Sequence, residues 1–203
     1  MIAEEFKVRA SCAGKLMTDP KNKNDKLSKT TQSFLEEWAK EQMYGIRKEF
    51  SSKQTEKGNE VESESIDHAI DWADLPFCVK NTTDYEDEYF TGTPDIVLPE
   101  LIVDMKNSWD CFTFPLFETE IPTKDYYYQL QVYMHLTGRR KAKLVYTLEN
   151  TPDYLGGKED YSHLPAEMRC KVFEVEYSKE VIDKLIERVK LSREYLKTIL
   201  WQA

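Results

Sequence analysis

Residues 92–106 read GTPDIVLPELIVDMK, and this stretch decides the fold. Two apolar runs, DIVL and LIVDMK, flank the turn signal LPE, so the spacing predicts a tight antiparallel pair of strands. Asp95 opens the first strand. Asp104 and Lys106 stand two apart on the second and therefore project from the same face. Two acids and a lysine gathered across one turn are a set that holds a divalent cation beside a reactive water.

Working outward, PFCVK (76–80) and EYFTG (88–92) read as further short strands, with NTTDYED as the turn between them, which extends the pair into an antiparallel meander. The first 75 residues read as helical. A short segment near Ser11 to Met17 leads into the polar loop DPKNKNDKLS; a long helix follows, capped by Ser28 and ended by Gly45. Phe34, Leu35, Trp38 and Ala39 mark its apolar side. A third helix is predicted over Thr55 to Trp72, burying Val61, Ile66, Ala69 and Ile70. Downstream, Pro122 precedes a helix from Thr123 to Leu136 that Gly138 stops. KAKLVYTLE and CKVFEVEY alternate as strands, and VIDKLIERVKLSREYLKTIL repeats apolar residues at helical spacing. This order describes a central mixed β-sheet flanked by helices, an α/β (α+β) fold. One domain over residues 1–203 is expected: a mainly helical part over 1–75, the sheet and its helix over 76–150, and a closing strand and helix over 151–203.

The bulk properties narrow the class. A chain of 203 residues with 40% hydrophobic and 32% charged residues is globular. It has no apolar window long enough for a membrane span, and MIAEEFKVRA lacks the pattern of a secretory signal, so a cytoplasmic protein is expected. Cys12, Cys78, Cys111 and Cys170 are scattered without a CxxC pair, which argues for reduced thiols and against a zinc or iron–sulfur centre. The net charge of −9 is unusual for a protein that binds nucleic acid. Cations bound to clustered acids would offset part of it, and Lys15, Lys21, Lys23, Lys26 and Lys29, with GRRKAK at 138–143, concentrate positive charge locally.

Magnesium takes hard oxygen ligands. Asp95 and Asp104 are the candidate ligands, with the Met105 backbone carbonyl as a third. Lys106 either accepts a proton, with its pKa lowered by cations, or only orients the water and stabilises charge; the sequence leaves both open. KGNEVESESIDHAI (57–70) offers a further acid from a helix. Glu60 and Glu64 lie one turn apart and Glu62 on another side, so only one set faces inward. In DYYYQLQVYMHL (125–136), Gln129 and Tyr133 are four apart and share a face with Tyr126. A glutamine there orients a water or holds the lysine, and a tyrosine donates to a phosphate. A solvated acidic face and an aromatic packing helix are the bland alternatives for these two segments.

Together RASCAGKLM (9–17), KGNEVE (57–62), GTPDIV (92–97), VDMK (103–106) and YYYQLQVYM (126–134) resemble, in order and spacing, the phage lambda exonuclease and YqaJ-like branch of the PD-(D/E)XK nuclease superfamily, over roughly residues 8 to 150. The resemblance implies a restriction-endonuclease-like core. It selects Glu62, four residues after Gly58, as the helix acid, and it makes Glu62, Asp95, Asp104, Lys106 and Gln129 the catalytic set. Glu62, Asp95, Asp104 and the Met105 carbonyl would hold one or two Mg²⁺ or Mn²⁺ ions. Ser11 falls in the motif near the terminal phosphate of bound DNA, and Arg9, Lys53 and Tyr133 complete the expected DNA contacts. The family implies a 5′ to 3′ exonuclease on double-stranded DNA ends in phage-type recombination, feeding a single-strand annealing protein, with ring-shaped trimers in some members. One departure stands out: the arginine that helps bind a 5′ phosphate in the best-known members falls here among Ala3, Glu4 and Glu5, with Lys7 or Arg9 as substitutes.

Two other functions compete. A flap or junction endonuclease would use the same acids and need no 5′-phosphate pocket. A non-catalytic DNA-binding protein on this fold would tend to lose an acid or the lysine, and all are retained here. No GxxxxGK[ST] loop is present, so no ATP-driven motor is expected.

Overall fold

The computed structural model describes residues 2–22, 24–48 and 52–201. Lys23, one of the early basic cluster, lies outside them. After a 3-10 turn over Ile2–Glu5, strand β1 (Val8–Arg9) runs into a 3-10 turn (Ala10–Cys12) and helix α1 (Ala13–Leu16). Helix α2 (Lys29–Tyr44) begins where the Ser28 hydroxyl accepts the Thr31 N–H at 3.0 Å and ends at Gly45 in the left-handed conformation, as the sequence predicts. Leu35 and Ala39 are buried, with Phe34 and Trp38 packed beside them.

The third helix departs from expectation. It is two helices, α3 (Lys53–Glu60) and α4 (Glu62–Trp72), broken at Val61. The Ser65 hydroxyl donates to the Val61 carbonyl at 2.8 Å, a back-bond of the kind that bends helices. The break makes Glu62 the first residue of α4. Ile70 is only half-buried, whereas Val61, Ile66 and Ala69 are buried as expected.

Among the described residues the strands form two sheets rather than one. In the smaller, β1, β3 (Phe90–Gly92) and β2 (Tyr85–Glu86) lie in the order β1-β3-β2. The larger runs β4-β5-β6-β7, with β4 (Ile96–Val97), β5 (Leu101–Asn107), β6 (Lys141–Thr147) and β7 (Cys170–Glu176). PFCVK is not a strand: Phe77 and Val79 stand exposed, and the segment hooks on through the Asn81 amide, which donates to the Pro94 carbonyl at 2.9 Å. β2 falls inside the expected turn. β1 was hidden because two residues carry no period.

β4 and β5 are antiparallel, β5 and β6 parallel, and β6 and β7 antiparallel. The parallel pair needs a crossover, which α5 (Lys124–Thr137) provides. Thr123 caps α5, and Gly138 closes it at φ 74°, a conformation that favours glycine. α6 (Lys179–Trp201) is the last element among the described residues. Ile102 on β5 packs with Leu130 and Met134 of α5, Leu144 of β6 and Leu185 of α6 in the main core. Val103 and Met105 face the other way, into a smaller core with Ile66 and Ala69 of α4. The large sheet is thus sandwiched, with Ile102, Asp104 and Lys106 on the α5 face. Among the described residues, no helix is long and apolar enough to cross a membrane.

Candidate active site

The β4–β5 ladder pairs Ile96 with Val103; continued one residue, the register sets Asp95 against Asp104. The ladder stops there. The Met105 N–H, which would continue it, donates to Asp95 Oδ2 at 2.7 Å. Because the N–H and C=O of one strand residue point to the same edge, the Met105 carbonyl faces the notch that this opening leaves.

Asp104 is buried, with Gln129 Nε2 donating to its Oδ1 at 3.2 Å. Lys106 Nζ stands 2.6 Å from the buried Oδ2 and forms an ion pair with it. Burial alone would lower the pKa of the Lys106 ammonium, but the charge and contact of Asp104, helped by Asp95, hold it above its ordinary value. The same ammonium lies 4.8 Å from the centroid of the Tyr126 ring.

Asp95 bears the cost of this crowding. Burial, then the Asp104 charge, push its carboxyl up to about 7, against the help of the Met105 N–H and Lys106; Glu62 adds to the repulsion. Glu62 approaches from α4 and is held by Lys80, from the PFCVK segment. Asp104 and Glu62 each repel Asp95, and these acids beside a carbonyl edge are hard-oxygen donors of the kind that Mg²⁺ or Mn²⁺ takes.

Gln129 also donates to the Tyr133 hydroxyl at 3.0 Å, and burial, then Asp104, push that phenol up to about 12. Tyr133 lies against Gly92, where an added Cβ would fall 2.7 Å from its ring and 3.0 Å from the Ala10 Cβ. Glycine lets the small sheet approach α5 and fixes the Tyr133 ring beneath Gln129.

Similarity to solved structures follows this geometry. No protein-family model and no curated protein matches the sequence. A phage-related exonuclease from Haemophilus somnus 129PT is 31% identical, aligning 98% of this chain with 96% of its own at a TM-score of 0.85. The chain belongs to the phage lambda exonuclease and YqaJ-like branch of the PD-(D/E)XK nucleases. Its fold is shared by the alkaline exonuclease LHK-Exo from Laribacter hongkongensis, at 17% identity over 99% of this chain and 93% of that one, TM-score 0.73. LHK-Exo in complex with dAMP aligns at 18% identity over 98% and 92%, TM-score 0.74.

Asp95, Asp104, Lys106, Gln129 and the Met105 edge come together in this notch, with Glu62 near enough to act on Asp95 by its charge. The expected DNA contacts are more dispersed. Arg9 and Ser11 are exposed on β1 and the following turn, next to the Ala10 that approaches Gly92. Tyr133 is buried on Gln129. Lys53 sits at the far end of α3, donating to the Leu155 carbonyl at 3.3 Å. Lys7 pairs with Glu86 at 3.1 Å. Much of GRRKAK is spent internally: Arg139 donates to the Leu98 and Thr137 carbonyls, Arg140 stacks on Tyr177, and Lys143 reaches the Ala73 carbonyl.

Sequence reasoning missed Lys80, hidden inside a run read as a strand, and a polar cluster behind α4. There Glu64, His68 and Glu149 offer ligand atoms within 4.8 Å of one another and could hold a cation. Glu149, however, is fully buried and already binds His68 Nδ1 at 3.0 Å and Arg169 Nη2 at 2.7 Å.

Proposed function

We propose that the chain is a divalent-metal-dependent deoxyribonuclease, a 5′ to 3′ exonuclease that resects double-stranded DNA ends in phage-type recombination. The meeting of Asp95, Asp104, Glu62 and Lys106 in one notch carries this reading. Glu62, Asp95, Asp104 and the Met105 carbonyl would hold one or two Mg²⁺ or Mn²⁺ ions, supplying Lewis acidity toward the phosphodiester and its attacking water. Lys106, paired with Asp104, would sit beside the attacking water, either taking its proton or orienting it and offsetting the charge of the phosphorane. Gln129 would hold Asp104 in place through its amide, with Tyr133 fixing Gln129 in turn. Double-stranded DNA ends are the substrate; a single-strand annealing protein and a ring of identical chains are the partners that family membership suggests. The residues over 1–203 would act as one nuclease domain. A mononucleotide such as the dAMP bound by LHK-Exo is what release from a strand end leaves behind.

A structure-specific endonuclease is the second reading. It is favoured by the N-terminus: the position of the 5′-phosphate arginine falls among Ala3, Glu4 and Glu5, and Glu4 is paired with Lys197 at 2.8 Å. Linear duplex labelled at one 5′ end, with and without a 5′ phosphate, beside a covalently closed circle separates the two. Labelled mononucleotides and an intact circle support the exonuclease; a nicked circle or internal fragments support the endonuclease.

Glu62→Ala is expected to reduce cleavage by about 10²-fold or more, the loss of one ligand. Glu60, exposed at the end of α3, should tolerate the same change with little loss. The reverse order in a steady-state assay would overturn the choice of helix acid.

The raised Asp95 carboxyl gives a pH signature. Above about pH 4 the unfolded chain has lost this proton, while the metal-free folded protein keeps it to about 7. The contribution of this group to metal-free stability therefore falls as pH rises from about 4 to about 7. A cation must displace that proton at pH 6 but not at pH 8, so Mg²⁺ should raise the melting temperature more at pH 8 than at pH 6. An equal or larger rise at pH 6 would contradict the placing of the cation at Asp95.

A further inference from the structure

Lys57 has no exposed surface, a rare state for an ammonium, and it takes no part in the notch itself. Burying such a charge is costly unless each proton finds an acceptor. Lys57 Nζ finds three, all backbone carbonyls: Ser108 at 2.6 Å, Glu149 at 2.7 Å and Trp109 at 3.0 Å. Burial still draws its pKa down to about 8, with Glu149 and then Asp110 acting in the opposite direction.

The acceptors lie where the central strands end. Ser108 and Trp109 follow directly on Lys106 and Asn107 at the exit of β5, and Glu149 follows β6. A second tether lies on the other side of Glu62. The Ser65 hydroxyl, whose one proton is shared between the Val61 carbonyl and Asn107 Oδ1, reaches across to Asn107, and Asn107 Oδ1 also accepts from Thr147 Oγ1 at 2.6 Å. Glu62 thus sits between Lys57, five residues earlier, and Ser65, three residues later, and both are tied to residues 107–109 just beyond the lysine of the notch.

We propose that Lys57, with Ser65, is a positioning residue that holds Glu62 at a fixed reach from Asp95 and Asp104 by fastening the broken α3–α4 helix to the exit of β5. The proposal rests on the reading of these acids as a cation site. An apolar side chain could fill the space of Lys57, but it could not fix α3 against three directed acceptors. The role is therefore geometric rather than a matter of filling the core.

Calorimetric titration of Mn²⁺ into the DNA-free protein tests this without turnover. Lys57→Met is expected to bind Mn²⁺ about tenfold more weakly than wild type, the size of effect seen when groups that orient metal ligands are removed. Leu35→Ala, a core change remote from the notch, should lower the melting temperature yet keep the wild-type affinity. Wild-type affinity in Lys57→Met, or an equal loss in Leu35→Ala, would overturn the positioning role while leaving the cation site standing. Absence of Mn²⁺ binding by the wild type would overturn the cation site and this proposal with it. If Lys57→Met does not fold, Ser65→Ala decides: weaker Mn²⁺ binding upholds the tether, and unchanged binding overturns it.

Discussion

Replacing Lys106 with alanine should reduce DNA cleavage by about 10²–10⁴-fold, the range for loss of a positioned group that handles protons or charge in the transition state, while duplex binding stays near wild type. The difference follows from where Lys106 points. Its ammonium is turned inward, 2.6 Å from Asp104 and over the Tyr126 ring, so it is not one of the many outward contacts that neutralise a phosphate backbone. Side by side, a cleavage assay and an equilibrium binding assay with chelator present read the two effects separately. Binding lost in parallel with cleavage would make Lys106 a DNA-binding residue rather than part of the chemistry.

Asp104→Asn should be at least as severe, for a different reason. The substitution keeps the shape of the side chain but removes the charge that faces Asp95 and Lys106. Losing a cation ligand of this kind removes several kcal/mol of charge stabilisation, and about 4 kcal/mol corresponds to roughly 10³-fold in rate. Relief of the repulsion should also let the Asp95 carboxyl fall from about 7 toward the ordinary carboxylate range. The variant is therefore expected to be folded and nearly inactive, and to gain little melting temperature from Mg²⁺. A Mg²⁺ shift equal to that of wild type would remove Asp104 from the cation site.

What the sequence disclosed and what it concealed divide along physical lines. Asp95, Asp104 and Lys106 were legible because strand side chains alternate with period two, so spacing alone assigns them a face. Gln129 and Tyr133 were legible through the helical repeat, and Ser28, Gly45, Thr123 and Gly138 mark helix ends through hydrogen bonding and backbone conformation that few other residues supply. β1 escaped because two residues show no periodicity. The division into two sheets escaped because the chain passes from β3 to β4 through Thr93, Pro94 and Asp95 with no signal that the ladder partner changes. The break at Val61 coincides with the local Ser65 back-bond and with the tertiary carbonyl contacts of Lys57, which no helical period reveals. Lys57 itself reads as a solvated helix residue until its three carbonyl partners, drawn from two strand exits, are in view.

Cleavage of linear duplex DNA in Mg²⁺ against the same reaction in EDTA, by wild type and by an Asp95→Ala, Asp104→Ala double variant, tests the central claim most directly. Mononucleotides released only by the wild type and only in Mg²⁺ are the expected result. Cleavage that persists in EDTA, or in the double variant with Mg²⁺, would mean that the chemistry lies elsewhere than in this notch.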